Sequence, residues 1–259
     1  GTTEEKAQGG EKRLLDEYIV GKPLGEGAFG VVKVCTKRTT GEEFAVKMVD
    51  KVETPVAEIQ KEAEMLQSLS HPSVVQFLGV FYEKCFVCIV MSKLDGGDLV
   101  EGLQDHLQTK GQIDPASITH VSFQMADSIN YLHTRSVIHR DIKGDNFLLS
   151  CKDLTRQDCK IVLTDFGTAT QCQPKERLSK GVGTKIFWSP ELYDFAYGLK
   201  VDVWAMGVIM YGLTTGRFPF RDDNDIKYKD PTLPKRVNSQ CQNFIQKLLE
   251  KKEVNRLSA

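Results

Sequence analysis

The chain has 259 residues, 41% of them hydrophobic and 27% charged, which is ordinary for a globular protein with a sizeable core. Its 34 basic and 35 acidic side chains give a formal net charge of −1, which argues against nucleic acid or an anionic membrane as a partner. No apolar run is long enough to span a bilayer, no secretory signal opens the chain, and seven cysteines without framework spacing indicate a reducing, cytoplasmic setting.

Short β-rich runs dominate the first third of the chain. They follow a polar, glycine-rich stretch at 1–13 that predicts a disordered leader. One helix interrupts them, because Thr54 can cap it and Pro55 suits its first turn. The predicted strands lie at 18–20, 31–35, 44–49, 74–81 and 86–91.

Helical spacing dominates from Gly96 onward. A helix is predicted to begin at Asp114-Pro115, and the stretch 201–213 is apolar nearly all round, which predicts a buried helix. Strands first and helices later indicate an α+β fold with two unequal lobes rather than repeating βαβ units. The predicted boundaries are 14–91 for the β-rich lobe, 92–95 for the hinge and 96–259 for the helical lobe.

A glycine-rich hairpin is predicted near the start of the first lobe. Gly25, Gly27 and Gly30 form a G-x-G-x-x-G pattern between two β-rich runs. Alone this pattern is weak, and its dinucleotide-binding version needs a helix directly after it, whereas here a strand follows. The glycines let backbone amides approach phosphate oxygens without a Cβ in the way.

Lys47 lies in an otherwise apolar strand, where the alternative to a functional role is a solvated strand edge. Glu62 places a charge on the apolar face of the predicted helix, and an unpaired charge facing a core is costly. Lys47 is its natural partner. Glu58 and Glu64 are rivals for that role, although Glu64 falls about 200° around the helix from Glu62.

Two short segments carry the chemistry: His-Arg-Asp-Ile-Lys-Gly-Asp-Asn at 139–146 and Asp-Phe-Gly at 165–167. Asp141 can accept a hydroxyl proton, and Lys143 can neutralise charge on a transferring phosphoryl group. Asn146 and Asp165 are hard oxygen donors of the kind that Mg²⁺ prefers. In this order and spacing they predict phosphoryl transfer from a metal-bound nucleotide.

These segments resemble the catalytic and metal loops of eukaryotic protein kinases, and the resemblance covers about Tyr18 to Ala259. Lys143 and Thr184 match the serine/threonine branch. The resemblance therefore implies a signalling enzyme that uses ATP and Mg²⁺ to phosphorylate serine or threonine hydroxyls of proteins. Its implied catalytic residues are Asp141, Lys143, Lys47, Glu62 and Thr184.

Within that branch the signals are mixed. The segment 40–47, the long hairpin around 150–160 and the helix at 202–205 look like the calcium/calmodulin-dependent group. The segment 139–146 with Gly144 is more similar to kinases of the upstream MAP-kinase cascades. The chain stops just past Arg256, before the family's last helix, so a trimmed C terminus is expected.

The resemblance also implies a nucleotide site. Val32, Ala45 and Leu148 would sandwich the adenine, Met91 would guard the back of the pocket, and the hinge would offer backbone hydrogen bonds. Asp98 would reach either the ribose or a basic residue of the substrate. The implied ATP-binding residues are Leu24, Gly25, Gly27, Gly30, Val32, Ala45, Lys47, Met91, Leu94, Asp98 and Leu148, with Asn146 and Asp165 as metal ligands.

The family pattern also predicts how the substrate side is held together. Ser189-Pro190-Glu191 resembles the end of an activation segment, with serine in place of the usual alanine, and Glu191 would pair with Arg256. The carboxylate of Asp202, in an apolar helix, needs donors that the backbone of the 139–141 turn would supply.

Regulation is predicted at Arg140 and Ser179. In the family, an arginine before the catalytic aspartate docks a phosphorylated activation segment. The usual phosphosite position is occupied here by Lys180, so Ser179, one residue away, is the candidate, unless Lys180 makes phosphorylation unnecessary.

The implied partner is a protein substrate with basic residues before its acceptor, because Asp98 and Asp145 would converge on that part of the groove. The domain is expected to be monomeric. A catalytically dead pseudokinase would lack one of Lys47, Asp141, Asn146 or Asp165, and all four are present. A small-molecule or lipid phosphotransferase would generally lack Thr184, the 189–191 segment and the Asp202 helix.

Overall fold

The computed structural model describes residues 13–27 and 30–259. These residues divide into two compact units: the first comprises the described residues up to Ser68 with Gln76–Lys93, and the second comprises Leu69–Val75 with Leu94–Ala259. Residues 69–75 precede the predicted hinge but pack with the second unit. All of the predicted leader except Arg13 lies outside the described residues.

The first unit is a five-stranded antiparallel sheet with strand order β1-β2-β3-β5-β4 and two helices. The predicted strand at 74–81 begins later than expected, at Phe77, because Val74 instead bridges to Leu163 in the second unit, to which both belong. The elements are α1 (Leu14–Glu17), β1 (Tyr18–Gly27), β2 (Gly30–Lys37), β3 (Glu43–Asp50), α2 (Val56–Ser68), β4 (Phe77–Tyr82) and β5 (Phe86–Ser92).

The sheet register separates two faces. Directly opposite residues share a face, and so do residues two apart along one strand. Lys47 lies opposite Val32, and Ala45 lies opposite Met91, so these four predicted nucleotide contacts share one face. The other face carries a core cluster of Leu14, Tyr18, Cys35, Val46, Phe81, Cys88 and Val90.

The second unit is mainly helical and contains two small two-stranded sheets, one of β6 with β9 and one of β7 with β8. Short 3-10 helices lie at Gly144–Asn146 and Lys185–Phe187. The other elements are α3 (Leu99–Thr109), α4 (Pro115–His133), β6 (Val137–Ile138), β7 (Phe147–Leu149), β8 (Ile161–Leu163), β9 (Thr170–Gln171), α5 (Pro190–Tyr193), α6 (Lys200–Thr215), α7 (Asp223–Tyr228) and α8 (Ser239–Leu248).

Helix α6 is the centre of the second unit, as its all-round apolar sequence predicts. Twelve of its residues are buried, and it packs against α4 and α8. Gly207 permits the close approach to α8, because a Cβ there would lie 2.9 Å from the Cβ of Leu248. The helix ends at Gly216, whose φ of 72° suits glycine. No helix among the described residues is long and apolar enough to cross a membrane.

The predicted pair between Glu191 and Arg256 is confirmed. The guanidinium donates to both carboxylate oxygens, at 2.5 and 2.9 Å, and the arginine side chain is fully buried. It also donates to the backbone carbonyls of Glu250 and Lys200 and lies 5.0 Å from the ring centroid of Trp204. One side chain thus ties the end of the chain to the segment before α6.

Replacing Arg256 with Leu should destabilise the fold by about 3–5 kcal/mol, since it leaves the Glu191 carboxylate without its buried partner. Chemical denaturation followed by fluorescence measures this loss. The matched control is Arg177→Leu, which breaks a 2.6 Å pair with Glu253 whose arginine is half exposed, and should cost about 0–1 kcal/mol. Equal losses in the two variants would contradict this assignment.

Candidate active site

The catalytic loop is anchored by the buried carboxylate of Asp202 in α6. Its two oxygens accept from the backbone amides of His139 and Arg140, each at 2.9 Å, which confirms the predicted donors. Nε2 of His133 lies 3.0 Å away and is a third partner that the sequence reasoning missed. Burial pushes the pKa of Asp202 upward, but the nearby His133 and His139 outweigh it, so the pKa lies below its ordinary value.

Asp141, Lys143 and Thr184 meet in one cluster. Oδ1 of Asp141 accepts from the Thr184 backbone amide at 2.9 Å and from its hydroxyl at 2.8 Å. Nζ of Lys143 lies 3.2 Å from Oδ2 of Asp141 and 3.3 Å from the Thr184 hydroxyl. A fixed carboxylate beside a fixed ammonium can take a proton at one atom while the neighbour stabilises negative charge.

Asn146 and Asp165 are brought close by the β7–β8 hairpin. The Thr164 amide donates to the Asn146 carbonyl at 2.9 Å, and Asp165 is the next residue after Thr164. The Asn146 amide nitrogen donates to the Asp141 carbonyl at 2.8 Å, which directs its side-chain oxygen elsewhere. Two such oxygens suit a divalent metal that also binds substrate phosphates. Among the described residues, no group of three or more His, Cys, Asp or Glu side chains could hold a metal unaided.

The loop backbone is strained at two of these positions. Arg140 has a φ of 68° and Asp165 a φ of 60°, in the left-handed region that costs a residue with a Cβ about 1–3 kcal/mol. Gly183, with a φ of 84°, lies so close that a Cβ would overlap the Arg140 carbonyl oxygen. Such conformations are maintained because the surrounding hydrogen bonds fix them.

In the first unit, Lys47 and Glu62 form the predicted ion pair, with Nζ 2.6 Å from Oε1 and both side chains buried. The alternative partners for Lys47, Glu58 and Glu64, are both exposed. Glu64 is exposed and accepts from Gln60 at 2.8 Å, and Glu58 is exposed on the first turn of α2. The predicted pairing is confirmed, while its role toward ATP stays a prediction.

The predicted glycine hairpin is formed by β1 and β2. Gly25 lies opposite Val32, and Gly27 opposite Gly30, while Ala28 and Phe29 lie outside the described residues. A Cβ at Gly30 would overlap the Met48 carbonyl oxygen, and its φ of 142° is one that side chains disfavour. Leu24, the other β1 residue expected at the nucleotide, is about half exposed, at 46%.

The second unit holds the remaining predicted nucleotide contacts, Leu94, Asp98 and Leu148. Leu94 is half-buried, and Asp98 forms an isolated bridge with Leu148. Asp98 also caps α3, since its Oδ1 accepts from the amides of Val100 and Glu101 at 2.8 and 2.9 Å. Partial burial raises its pKa. The spacing Asp98-x-x-Glu101 is a capping-box signal that could have revealed this role.

Arg140 and Ser179, the predicted regulatory residues, lie near Tyr197. Nε of Arg140 donates to the Thr168 carbonyl at 2.7 Å, and its Nη1 lies 3.4 Å from the Tyr197 hydroxyl. That hydroxyl donates to the Lys180 carbonyl at 2.6 Å, an anchor the sequence reasoning missed. Ser179 is exposed next to it, so its phosphorylation stays a prediction.

The comparisons agree on the family. The protein kinase domain family model matches residues 18–259. The chain is 31% identical to calcium-dependent protein kinase 11 of Arabidopsis thaliana, over 95% of this chain and 52% of that protein. It is 36% identical to the serine/threonine-protein kinase DCLK2 of Mus musculus, over 83% and 28%. Death-associated protein kinase 2 of Mus musculus is 29% identical, over 96% and 70%.

The chain thus spans about half or less of the first two of these relatives. The expected two-lobed α+β kinase fold, the serine/threonine type and the likeness to the calcium/calmodulin-dependent group are confirmed. So is the predicted reaction class, ATP-dependent phosphoryl transfer to serine or threonine in proteins. The chain belongs to the protein kinase family and is a domain of its serine/threonine type.

Proposed function

We propose that the protein containing this domain phosphorylates protein substrates with ATP and Mg²⁺, and that Asp141 is its catalytic base. The observation that carries the proposal is the hydrogen-bonded cluster of Asp141, Lys143 and Thr184. Thr184 holds one carboxylate oxygen through two bonds, at 2.9 and 2.8 Å. The other oxygen, 3.2 Å from the Lys143 ammonium, is the one that faces the substrate hydroxyl in this proposal.

The reaction moves one proton and one phosphoryl group. The substrate's hydroxyl oxygen bonds to the γ-phosphorus of ATP, its proton passes to Asp141, and the bond to the departing ADP breaks. Lys143 stabilises the negative charge on the transferring group, and Thr184 fixes the base. Asp202 holds the backbone of the loop and acts as a positioning residue.

Asn146 and Asp165 are the proposed metal ligands, and the bound Mg²⁺ would neutralise charge on the β- and γ-phosphates. Lys47, oriented by Glu62, would bind the α- and β-phosphates. Gly25, Gly27 and Gly30 would bring backbone amides to the phosphates. The proposed adenine and ribose contacts are Leu24, Val32, Ala45, Met91, Leu94, Asp98 and Leu148.

Three further features stay proposals. The domain acts as a monomer in the cytoplasm, and its activity rises when Ser179 is phosphorylated. Lys180 is adjacent, and Arg177, although bonded to Glu253, is two residues away and can share the phosphate charge. Arg140 would then dock the phosphorylated segment.

Replacing Asp141 with Asn or Lys47 with Met should lower turnover about 10²- to 10⁴-fold, because the first removes the proton acceptor and the second the phosphate contact. The measurement uses labelled ATP, Mg²⁺ and a degenerate peptide library, followed by phosphoamino-acid analysis. The wild-type domain should label serine and threonine.

Two matched controls make the same types of substitution in surface ion pairs. Asp158→Asn breaks an exposed pair with Arg156, and Lys227→Met breaks a pair with Asp194. Both should leave turnover unchanged. Near-normal turnover in a well-folded Asp141→Asn or Lys47→Met variant would show that these roles are assigned wrongly.

Substrates with arginine two or three residues before the acceptor should be preferred about ten-fold per good contact. Charge-assisted hydrogen bonds to Asp98 and Asp145 are each worth roughly 1.5–3 kcal/mol if desolvated. A positional peptide array measures the preference in the wild type and in Asp98→Asn and Asp145→Asn. Asparagine at 98 removes the charge but still caps α3, so helix stability is preserved.

The control is Asp105→Asn, which removes an exposed charge elsewhere on α3. It should leave the array unchanged. An array without arginine enrichment, or with enrichment that survives both Asp98→Asn and Asp145→Asn, would refute the specificity proposal while leaving the kinase activity itself untouched.

A further inference from the structure

Cys151 and Cys159 lie close together where the β7–β8 hairpin opens into its loop. The pairing of β7 with β8 continues for one residue pair past Leu149 and Ile161, because the Ser150 amide donates to the Lys160 carbonyl at 2.9 Å. The Lys160 amide in turn donates to the Ser150 side chain at 2.8 Å. The next opposed pair in this register is Cys151 with Cys159.

The position of this pair in the ladder suits a disulfide. Hydrogen-bonded and non-hydrogen-bonded pairs alternate in an antiparallel ladder, and the preceding pair, Ser150 with Lys160, forms one of the two backbone bonds of a hydrogen-bonded pair. Continued by one more step, the ladder would place the cysteines in a non-hydrogen-bonded pair, where Cα atoms are about 4.5 Å apart, within the range of roughly 4.4–6.8 Å that disulfides require. Sγ of Cys159 already lies 3.4 Å from the Cys151 carbonyl oxygen.

Both sides of the pair are held by the rest of the second unit. The Cys159 carbonyl accepts from Nε2 of Gln124 at 3.1 Å and lies 3.1 Å from Nε2 of His120, both on α4. The Cys151 carbonyl packs so closely on Gly96 that a Cβ there would overlap it.

The two thiols differ in access. Cys159 is buried, with 1% of its surface exposed, whereas Cys151 is half-buried, and both are free thiols. Burial first, and then the neighbouring Cys151 thiol, raise the pKa of Cys159 to about 11. Oxidation should therefore begin at Cys151, with Cys159 as the resolving thiol.

We propose that Cys151 and Cys159 form a redox-modification site, which closes into an intrachain disulfide in response to a peroxide without distorting the fold. The Cys151 sulfur attacks hydrogen peroxide, takes one oxygen as a sulfenic acid and releases water. The Cys159 sulfur then attacks the sulfenic sulfur, loses its proton, and the second water leaves. In total, two thiols and one hydrogen peroxide give one disulfide and two waters.

Non-reducing tryptic mass spectrometry of the whole chain tests this proposal. Trypsin cleaves between the cysteines, after Lys152 and Arg156, so the bond would join peptide 144–152 to peptide 157–160. After peroxide treatment this linked species should become the main form of Cys151, and dithiothreitol should convert it back to two free peptides. Oxidation of the exposed Cys85 shows in the same sample that peroxide acted.

Variants separate this site from general oxidation. In Cys159→Ser, Cys151 should stop at a sulfenic acid that dimedone traps, whereas Cys241→Ser, a half-buried thiol on α8, should leave the crosslink unchanged. The proposal is overturned if Cys151 proceeds to sulfinic acid while Cys159 stays free. It is also overturned if both thiols stay unmodified when Cys85 is oxidised.

The melting temperature tests whether the bond fits the native geometry. A crosslink restricts the unfolded chain more than the folded one, so oxidised wild type should melt several degrees above the reduced protein. The shift should be absent in Cys159→Ser. A fall in melting temperature at complete crosslinking would overturn the claim that the folded state accommodates the disulfide.

Discussion

The second unit depends on the hydrogen bonds that the buried carboxylate of Asp202 accepts. It lies in an otherwise apolar helix at the centre of that unit, where an uncompensated charge would be costly. Its compensation comes from the His139 and Arg140 amides and from His133. The same bonds that make the charge tolerable hold the loop backbone at Arg140 in its left-handed conformation. The next residue along is Asp141, so the placement of the proposed base follows from a requirement of the core.

Other buried charges follow the same pattern. The Lys47 ammonium is held by Glu62 within the first unit, and the Arg256 guanidinium is held by Glu191 within the second. A buried ion pair adds little net stability, but breaking it is expensive, so each pair fixes the geometry of the elements it joins. Glu62 orients Lys47, which is proposed to bind phosphate, while Arg256 secures the segment before α6. The half-exposed pair of Arg177 with Glu253 carries no such constraint.

Much of this could be predicted because several residues break the local pattern. Glu62 on an apolar helix face and Asp202 in an apolar helix each required a partner, and the structure supplies it. The pairing of Glu191 with Arg256 was predicted instead from the family's pattern. Features that depend on strand register were harder to predict from the sequence. The late start of β4 depends on a bridge between segments far apart in sequence. Nor could single-residue patterns reveal that Cys151 and Cys159 would be opposed, because hairpin register sets that pairing.

The central claim is that Asp202 organises the loop that carries the base, and the kinetics of Asp202→Asn test it most directly. Asparagine has one accepting oxygen, so one of the two loop amides loses its acceptor while shape is kept. The turnover number should fall by up to about 10²-fold, the loss expected from slight misplacement of a catalytic group. The KM for ATP should stay nearly unchanged, because Asp202 is not among the proposed ATP or metal contacts. A folded Asp202→Asn variant with wild-type turnover would contradict the account.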